Sequence, residues 1–163
     1  MQRENTITKA VLDLSFPIHS ALGPGLLEKV YERILVAELQ ALGFAVKNQV
    51  PITIKYKNLV IEEAFKADII VEDIVLLELK ASEVNHPVYH RQLLSYLKLS
   101  SIECGLLINF GSEHLKDGIK RMVNSLELGK TSRQRYLQYS IIEILETVRH
   151  AFFPAGMPKL SKA

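Results

Sequence analysis

Apolar residues recur every three to four positions over residues 6–22, at Ile7, Val11, Leu12, Phe16 and Ile18, which predicts an amphipathic helix. Pro17 is expected to distort or shorten it. "GPG" at 23–25 then breaks the chain. A second helix is predicted over 26–42, with Leu27, Val30, Ile34, Leu35, Leu39 and Leu42 on a wide apolar face and Gly43 at its stop. The period then changes. "VPITIKYK" alternates, with Ile52, Ile54 and Tyr56 on one side and Thr53, Lys55 and Lys57 on the other, the pattern of a strand. Asn58 suits a turn. Two further strands are predicted over 60–71 and 74–80, joined near Glu72 and Asp73. "NHPVYHRQLLSYLKLS" reads as a helix with Pro87 in its first turn, and "CGLLINF" as a short buried strand. Residues 115–126 read as a helix, and "RQRYLQYSIIEILETVRHAFF" as a last one, ending before Pro154 and a loose tail.

The expected architecture is therefore α/β, a mixed four-stranded sheet flanked by helices, plus a C-terminal helix. The helix before the fourth strand implies a crossover and a parallel pairing. Residues 1–128 are expected to form one domain, with 129–163 a helical extension and loose tail packed on it. A hydrophobic content of 48% over 163 residues supplies a real core and argues against disorder. The net charge of +2 permits nucleic-acid binding without announcing it. One cysteine, Cys104, excludes a disulfide scaffold and a zinc-finger array. No apolar run is long enough for a bilayer, and "MQRENTITKAVLDLS" lacks a signal-peptide core, so a cytoplasmic protein without a membrane partner is expected.

The stretch "KADIIVEDIVLLELKA" (66–81) is where the charges need explaining. Its apolar, β-branched character predicts buried strands, yet it carries Asp68, Glu78 and Lys80. Glu78 and Lys80 share one strand face. Asp68 joins that face only if the intervening turn is odd. A two-residue loop at Glu72-Asp73 would set Asp68 opposite Leu77, whereas an odd loop centred on Asp73 sets it opposite Glu78, with β-carbons about 5 Å apart. Two carboxylates that close repel unless a cation intervenes, and an all-oxygen pair suits Mg²⁺ or Mn²⁺. Lys80, one pleat away, could orient a water or steady a phosphate oxygen. Those are the requirements of metal-assisted phosphodiester hydrolysis. Glu-x-Lys also occurs by chance on solvated strands, but a central strand has little solvated face.

Two helices carry further candidates. Gln92 and Tyr96 stand at i and i+4, with Tyr89 on the same face. Glu28 opens the second helix with Tyr31 at i+3. If Gly25 is the N-cap, Glu28 occupies N3 and a capping role explains it; the alternative is a third acidic ligand. On the helix expected over 115–126, Lys116 and Lys120 with Asn124 recur every four positions, and Arg121 adjoins them. They are candidate phosphate contacts or a plain solvated face, and Arg133 and Arg135 are a weaker pair.

Taken together, "GPGLLEKVYE", with Gly25, Glu28 and Tyr31 in register, resembles the signature of the GxxExxY proteins. "VPITIKYKN", "KADIIVEDIVLLELKA", "QLLSYLKLS", "GLLINFG" and "LKDGIKRMVN" follow in order, so the resemblance spans about residues 5–125. Those proteins fall in the PD-(D/E)xK nuclease superfamily. The resemblance implies a restriction-endonuclease-like αβββαβ core and a Mg²⁺- or Mn²⁺-dependent nuclease acting on nucleic acid, in the first place DNA. It implies Asp68, Glu78 and Lys80 as the catalytic set, Glu28, Asp68 and Glu78 as metal ligands, and Gln92, Tyr96 and Tyr31 as residues shaping the site. Ala67 stands where the superfamily motif has its proline. Nothing in the sequence encodes base readout, so sequence-nonspecific or structure-directed cleavage is expected. The other reading is a non-catalytic or partner-dependent nucleic-acid-binding or assembly subunit on the same fold. A homodimer or a protein partner is left open.

Overall fold

The computed structural model of the chain describes residues 2–124. The expected last helix, Arg133, Arg135 and the extension over 129–163 lie outside the described residues. Two helices, α1 (Gln2–Leu22) and α2 (Glu28–Ala41), precede three strands, β1 (Val46–Tyr56), β2 (Leu59–Val71) and β3 (Val75–Lys80). Helix α3 (Pro87–Ser100) leads to β4 (Cys104–Asn109), a 3₁₀ turn at Leu115–Gly118, and β5 (Ile119–Val123). The strands lie in sequence order in one sheet. All neighbours are antiparallel except β3 and β4, which run parallel from Val75↔Cys104 to Lys80↔Asn109. The crossover is α3, whose Pro87 occupies the first turn behind the His86 N-cap. The fold class is the expected one, mixed α/β with helices on the sheet.

Each face of the sheet has its own core. Ile69, Val71, Leu77, Leu79, Leu106 and Ile108 pack against Ile7, Val11 and Leu12 of α1 and Tyr31, Leu35 and Leu39 of α2. Ile70, Leu76, Leu107 and Met122 pack on the other face against Leu93, Tyr96 and Leu97 of α3. Burial on both faces explains why β3 and β4 read as continuous apolar runs. Among the described residues no helix is long and apolar enough to cross a membrane.

Three expectations are corrected. The sheet has five strands, because residues 119–123 form β5 instead of a helix. Leu115, Ile119 and Met122 are buried at helical spacing, but for another reason. Ile119 joins the α1/α2 core and Met122 the α3 core, as residues three apart on a strand must. Gly118 lets the chain turn into β5: a β-carbon there would lie 2.5 Å from the Asn109 carbonyl oxygen and 2.6 Å from Ser112 Oγ. Pro17 does not shorten α1, which runs through it with Pro17 on the exposed side. Finally, the N-cap of α2 is Leu27, not Gly25, and Leu27 makes no side-chain cap.

The turn between β2 and β3 is odd. Glu72 and Asp73 are left-handed, at φ 55° and 56°. The Ile74 N–H closes back on the Val71 carbonyl at 3.0 Å, yet pairing resumes at Val71↔Val75, leaving Ile74 as an extra residue. The strain is held by side-chain contacts: Glu72 accepts from the Ala45 N–H and from Arg3, and Asp73 from Lys47.

Candidate active site

The β2–β3 ladder runs through Val71↔Val75, Ile70↔Leu76 and Ile69↔Leu77, then stops. The next pair in that register is Asp68 and Glu78. In place of a ladder bond, Asp68 Oδ2 accepts the Leu79 N–H at 2.8 Å. The strand turns here, since Ala67 packs in the α3 core and Ile69 in the opposite one. Glu78 is 2% exposed, and its Oε1 accepts from Lys80 Nζ at 2.6 Å. Its other oxygen, Oε2, is buried without a hydrogen-bond partner. Lys80 also donates to the Leu79 carbonyl at 2.9 Å and lies 5.5 Å from the centroid of the Tyr89 ring.

Glu28 enters from α2. As the first residue of that helix it is not at the capping-box position, so a capping role does not account for it. It is half-buried and faces the same charges. Burial raises its carboxyl above the ordinary value, Lys80 opposes this, and Asp68 and Glu32 reinforce it. Asp68 is likewise raised by burial, against the Leu79 N–H and Lys80. Glu78 is pushed up to about 7, by burial first and by Asp68 second. Burial works against the Lys80 charge, but Glu78, Glu28 and Asp68 outweigh it and hold the ammonium above its ordinary range. One lysine is thus the cation that three acids share.

The loop before α2 opens the site to solvent. Tyr31, fully buried and stacked on Phe110 at 4.5 Å, donates its hydroxyl to the Gly23 carbonyl at 2.6 Å and accepts from the Leu26 N–H at 3.2 Å. Gly25 has φ 111°, a conformation that favours glycine. This is the physical content of the G-x-x-E-x-x-Y spacing: glycine shapes the loop, tyrosine pins it, and Glu28 projects between them. The pinned loop walls a cleft of about 690 Å³ lined by Leu26, Leu27, Glu28, Lys80, Ser82 and Tyr89, among others.

On α3, Gln92 donates to the Tyr96 hydroxyl, and the Tyr96 ring stacks on Phe65 with centroids 3.7 Å apart. Burial raises the Tyr96 phenol, and Glu78, Lys80 and Asp68 all act on it, so the Gln92–Tyr96 pair lies within electrostatic reach of these charges. The basic residues do not group as expected. Lys116 is exposed on the 3₁₀ turn, and Lys120 and Arg121 are neighbours on β5 and so point to opposite faces. Lys120 pairs across from Leu107, in the row of Glu78, whereas Arg121 pairs across from Leu106 and acts on Cys104 and Glu4 on the α1 side. A shared basic helix face at Lys116, Lys120 and Arg121 is therefore wrong.

Three polar residues escaped the sequence reading. Glu32 is 7% exposed on α2 and accepts from Gln49 Nε2 at 2.9 Å. Its position three residues before buried Leu35 was the available signal. Gln49, left-handed at φ 51° within β1, had none. Asn109 is fully buried and ties the chain after Lys80 to the end of β4. Its Oδ1 accepts from the Ser82 and Gly111 N–H groups, and its Nδ2 donates to the Ser82 carbonyl and to Asn85 Oδ1.

The donor set fits a hard divalent cation. All three candidate ligands are carboxylates, each destabilised in its charged form, and one buried oxygen lacks a partner. As the side chains lie, no three His, Cys, Asp or Glu residues among those described form a ready cage, and the ammonium of Lys80 stands against Glu78. A comparison with curated proteins finds no match, and neither does one with solved structures. A family model described as the PD-(D/E)XK nuclease superfamily matches residues 5–122, from α1 into β5. An aspartate and a Glu-x-Lys on adjacent central strands are the residues from which that superfamily is named, and the chain belongs to the PD-(D/E)XK nuclease superfamily.

Proposed function

We propose that the chain is a Mg²⁺- or Mn²⁺-dependent nuclease of the GxxExxY kind that hydrolyses DNA phosphodiester bonds without base readout or in response to DNA structure. The observation that carries this reading is Glu78 ion-paired to Lys80, Asp68 held on the Leu79 N–H between them, and Glu28 lining the same open cleft as Lys80. Asp68, Glu78 and Glu28 would hold the ion, with Glu78 Oε2 the oxygen that lacks any other partner. A bound divalent ion supplies Lewis acidity at a phosphate oxygen and lowers the pKa of a coordinated water. Lys80 lines the cleft with its ammonium held by Glu78 and the Leu79 carbonyl, and in this reading it orients the attacking water and steadies a phosphate oxygen. The ring of Tyr89 limits the swing of that side chain, and the stacked Phe65–Tyr96 pair, held by Gln92, walls the site on the α3 side. Lys120 is the basic residue retained as a phosphate contact. It lies in the cross-strand row of Glu78 two strands away, about 10 Å at the usual strand spacing.

The test is cleavage of single- and double-stranded DNA, and of RNA, by pure protein with Mg²⁺ or Mn²⁺, beside Asp68→Ala and Lys80→Ala. Metal-dependent cleavage lost in both variants supports the reading; equal residual cleavage in all three proteins refutes it. A second reading, a binding or assembly subunit without turnover, draws on the Lys80–Glu78 ion pair that already occupies one carboxylate oxygen. It predicts nucleic-acid binding that survives EDTA and Glu78→Ala.

A further inference from the structure

Gln49 is anomalous in its strand. Its neighbours pair regularly, Asn48 with Ile69 and Val50 with Ala67, but Gln49 itself is left-handed at φ 51° and makes no ladder pair. A side chain other than glycine or asparagine is strained there, and such strain persists when surrounding contacts over-determine it. The residue it faces in that register is Asp68. Its amide nitrogen donates to Glu32 Oε2 at 2.9 Å, and Glu32 is nearly fully buried one helical turn after Glu28. Gln49 stands opposite Asp68 across the two strands, and its side chain acts to favour the charged form of that carboxylate. One kinked strand residue, bonded to the helix that carries Glu28, therefore stands across from the acid of β2.

We propose that Gln49, anchored by Glu32, is a positioning residue that sets the Asp68 carboxylate, and through α2 the Glu28 carboxylate, for a shared divalent cation. This rests on the metal-dependent reading above. Partners that orient a ligating side chain in this way typically change metal affinity by about 10–100-fold. The left-handed backbone separates positioning from simple fastening of α2 to the sheet. Gln49→Gly removes the bridge but suits φ 51° better than glutamine does, and Gln49→Asn keeps an amide that tolerates this backbone but is too short to span.

The experiment is Mn²⁺ titration by calorimetry of wild type, Gln49→Gly, Gln49→Asn and Glu32→Gln, with the Tm of each measured in EDTA. The expected result is Mn²⁺ affinity at least tenfold weaker in both Gln49 variants, weakened also in Glu32→Gln, and a metal-free Tm for Gln49→Gly equal to or above wild type. Wild-type affinity in Gln49→Gly overturns the positioning role alone. A fall in its metal-free Tm also overturns it, because the bridge is then a fastening of α2. Absence of Mn²⁺ binding by wild type refutes the metal-dependent reading and this inference together.

Discussion

Replacing Glu78 by glutamine should stabilise the metal-free protein at neutral pH while abolishing cleavage. Glu78 is 2% exposed, its Oε2 has no partner, and burial with the nearby Asp68 pushes its carboxyl from 4.5 up to about 7. A carboxyl raised on folding contributes stability that is full below 4.5 and is lost as pH rises through about 7. At about 1.4 kcal/mol per pH unit, the penalty above that range is about 3 kcal/mol. The attraction of Lys80 is already included, since it acts to lower the Glu78 value. Asp68 and Glu28 are raised too, so they tilt stability in the same direction. Glutamine keeps the shape, removes the charge and, like the protonated acid, still offers an oxygen to Lys80, whose 2.6 Å contact is not subtracted a second time. The expected gain at pH 8 is then about 3 kcal/mol, roughly 6–12 °C in Tm for a chain of this size. At pH 5 the carboxyl is protonated in the folded state and the gain falls to about 1 kcal/mol. The assay is thermal unfolding of wild type and Glu78→Gln in EDTA, followed by circular dichroism from pH 5 to pH 8. A Tm difference that does not change with pH, or that turns against glutamine as pH rises, would refute the reasoning.

Three further outcomes follow from the site. Lys80→Met keeps the aliphatic stem and removes the ammonium, so kcat should fall by about 10²–10⁴, read from initial rates at saturating metal. Tyr31→Phe deletes the hydroxyl that bonds Gly23 and Leu26, so urea unfolding should show a loss of about 1–2 kcal/mol, and KM for nucleic acid should rise as the cleft wall loosens. Asn109→Ala empties a buried position with four hydrogen bonds that tie Ser82, Asn85 and Gly111 together, and should lower stability by about 3–4 kcal/mol in the same assay.

The strands that carry the acids were legible because a buried, β-branched run leaves few alternatives to a central strand. The odd β2–β3 turn was legible only through the expected site, since parity decides which face Asp68 takes and a shared site needs it beside Glu78. β5 was not, because Leu115, Ile119 and Met122 satisfy a helical period while serving a turn and two different cores. The same error gathered Lys116, Lys120 and Arg121 onto one face. Glu28 was picked out, but its alternative as a capping glutamate fell only once Leu27 proved to be the N-cap. Gln49 and Asn109 were invisible for a different reason. Their roles come from partners 17–27 residues away and, for Gln49, from a backbone angle that no local pattern announces.

The central claim is that the buried acids of β2 and β3 stand together in order to share a divalent ion. Manganese anomalous scattering from crystals grown with Mn²⁺ tests it most directly. The account predicts a peak between Asp68 and Glu78, within reach of Glu28 and lost in Asp68→Asn. A protein that remains metal-free at saturating Mn²⁺, or a peak remote from these carboxylates, would contradict it.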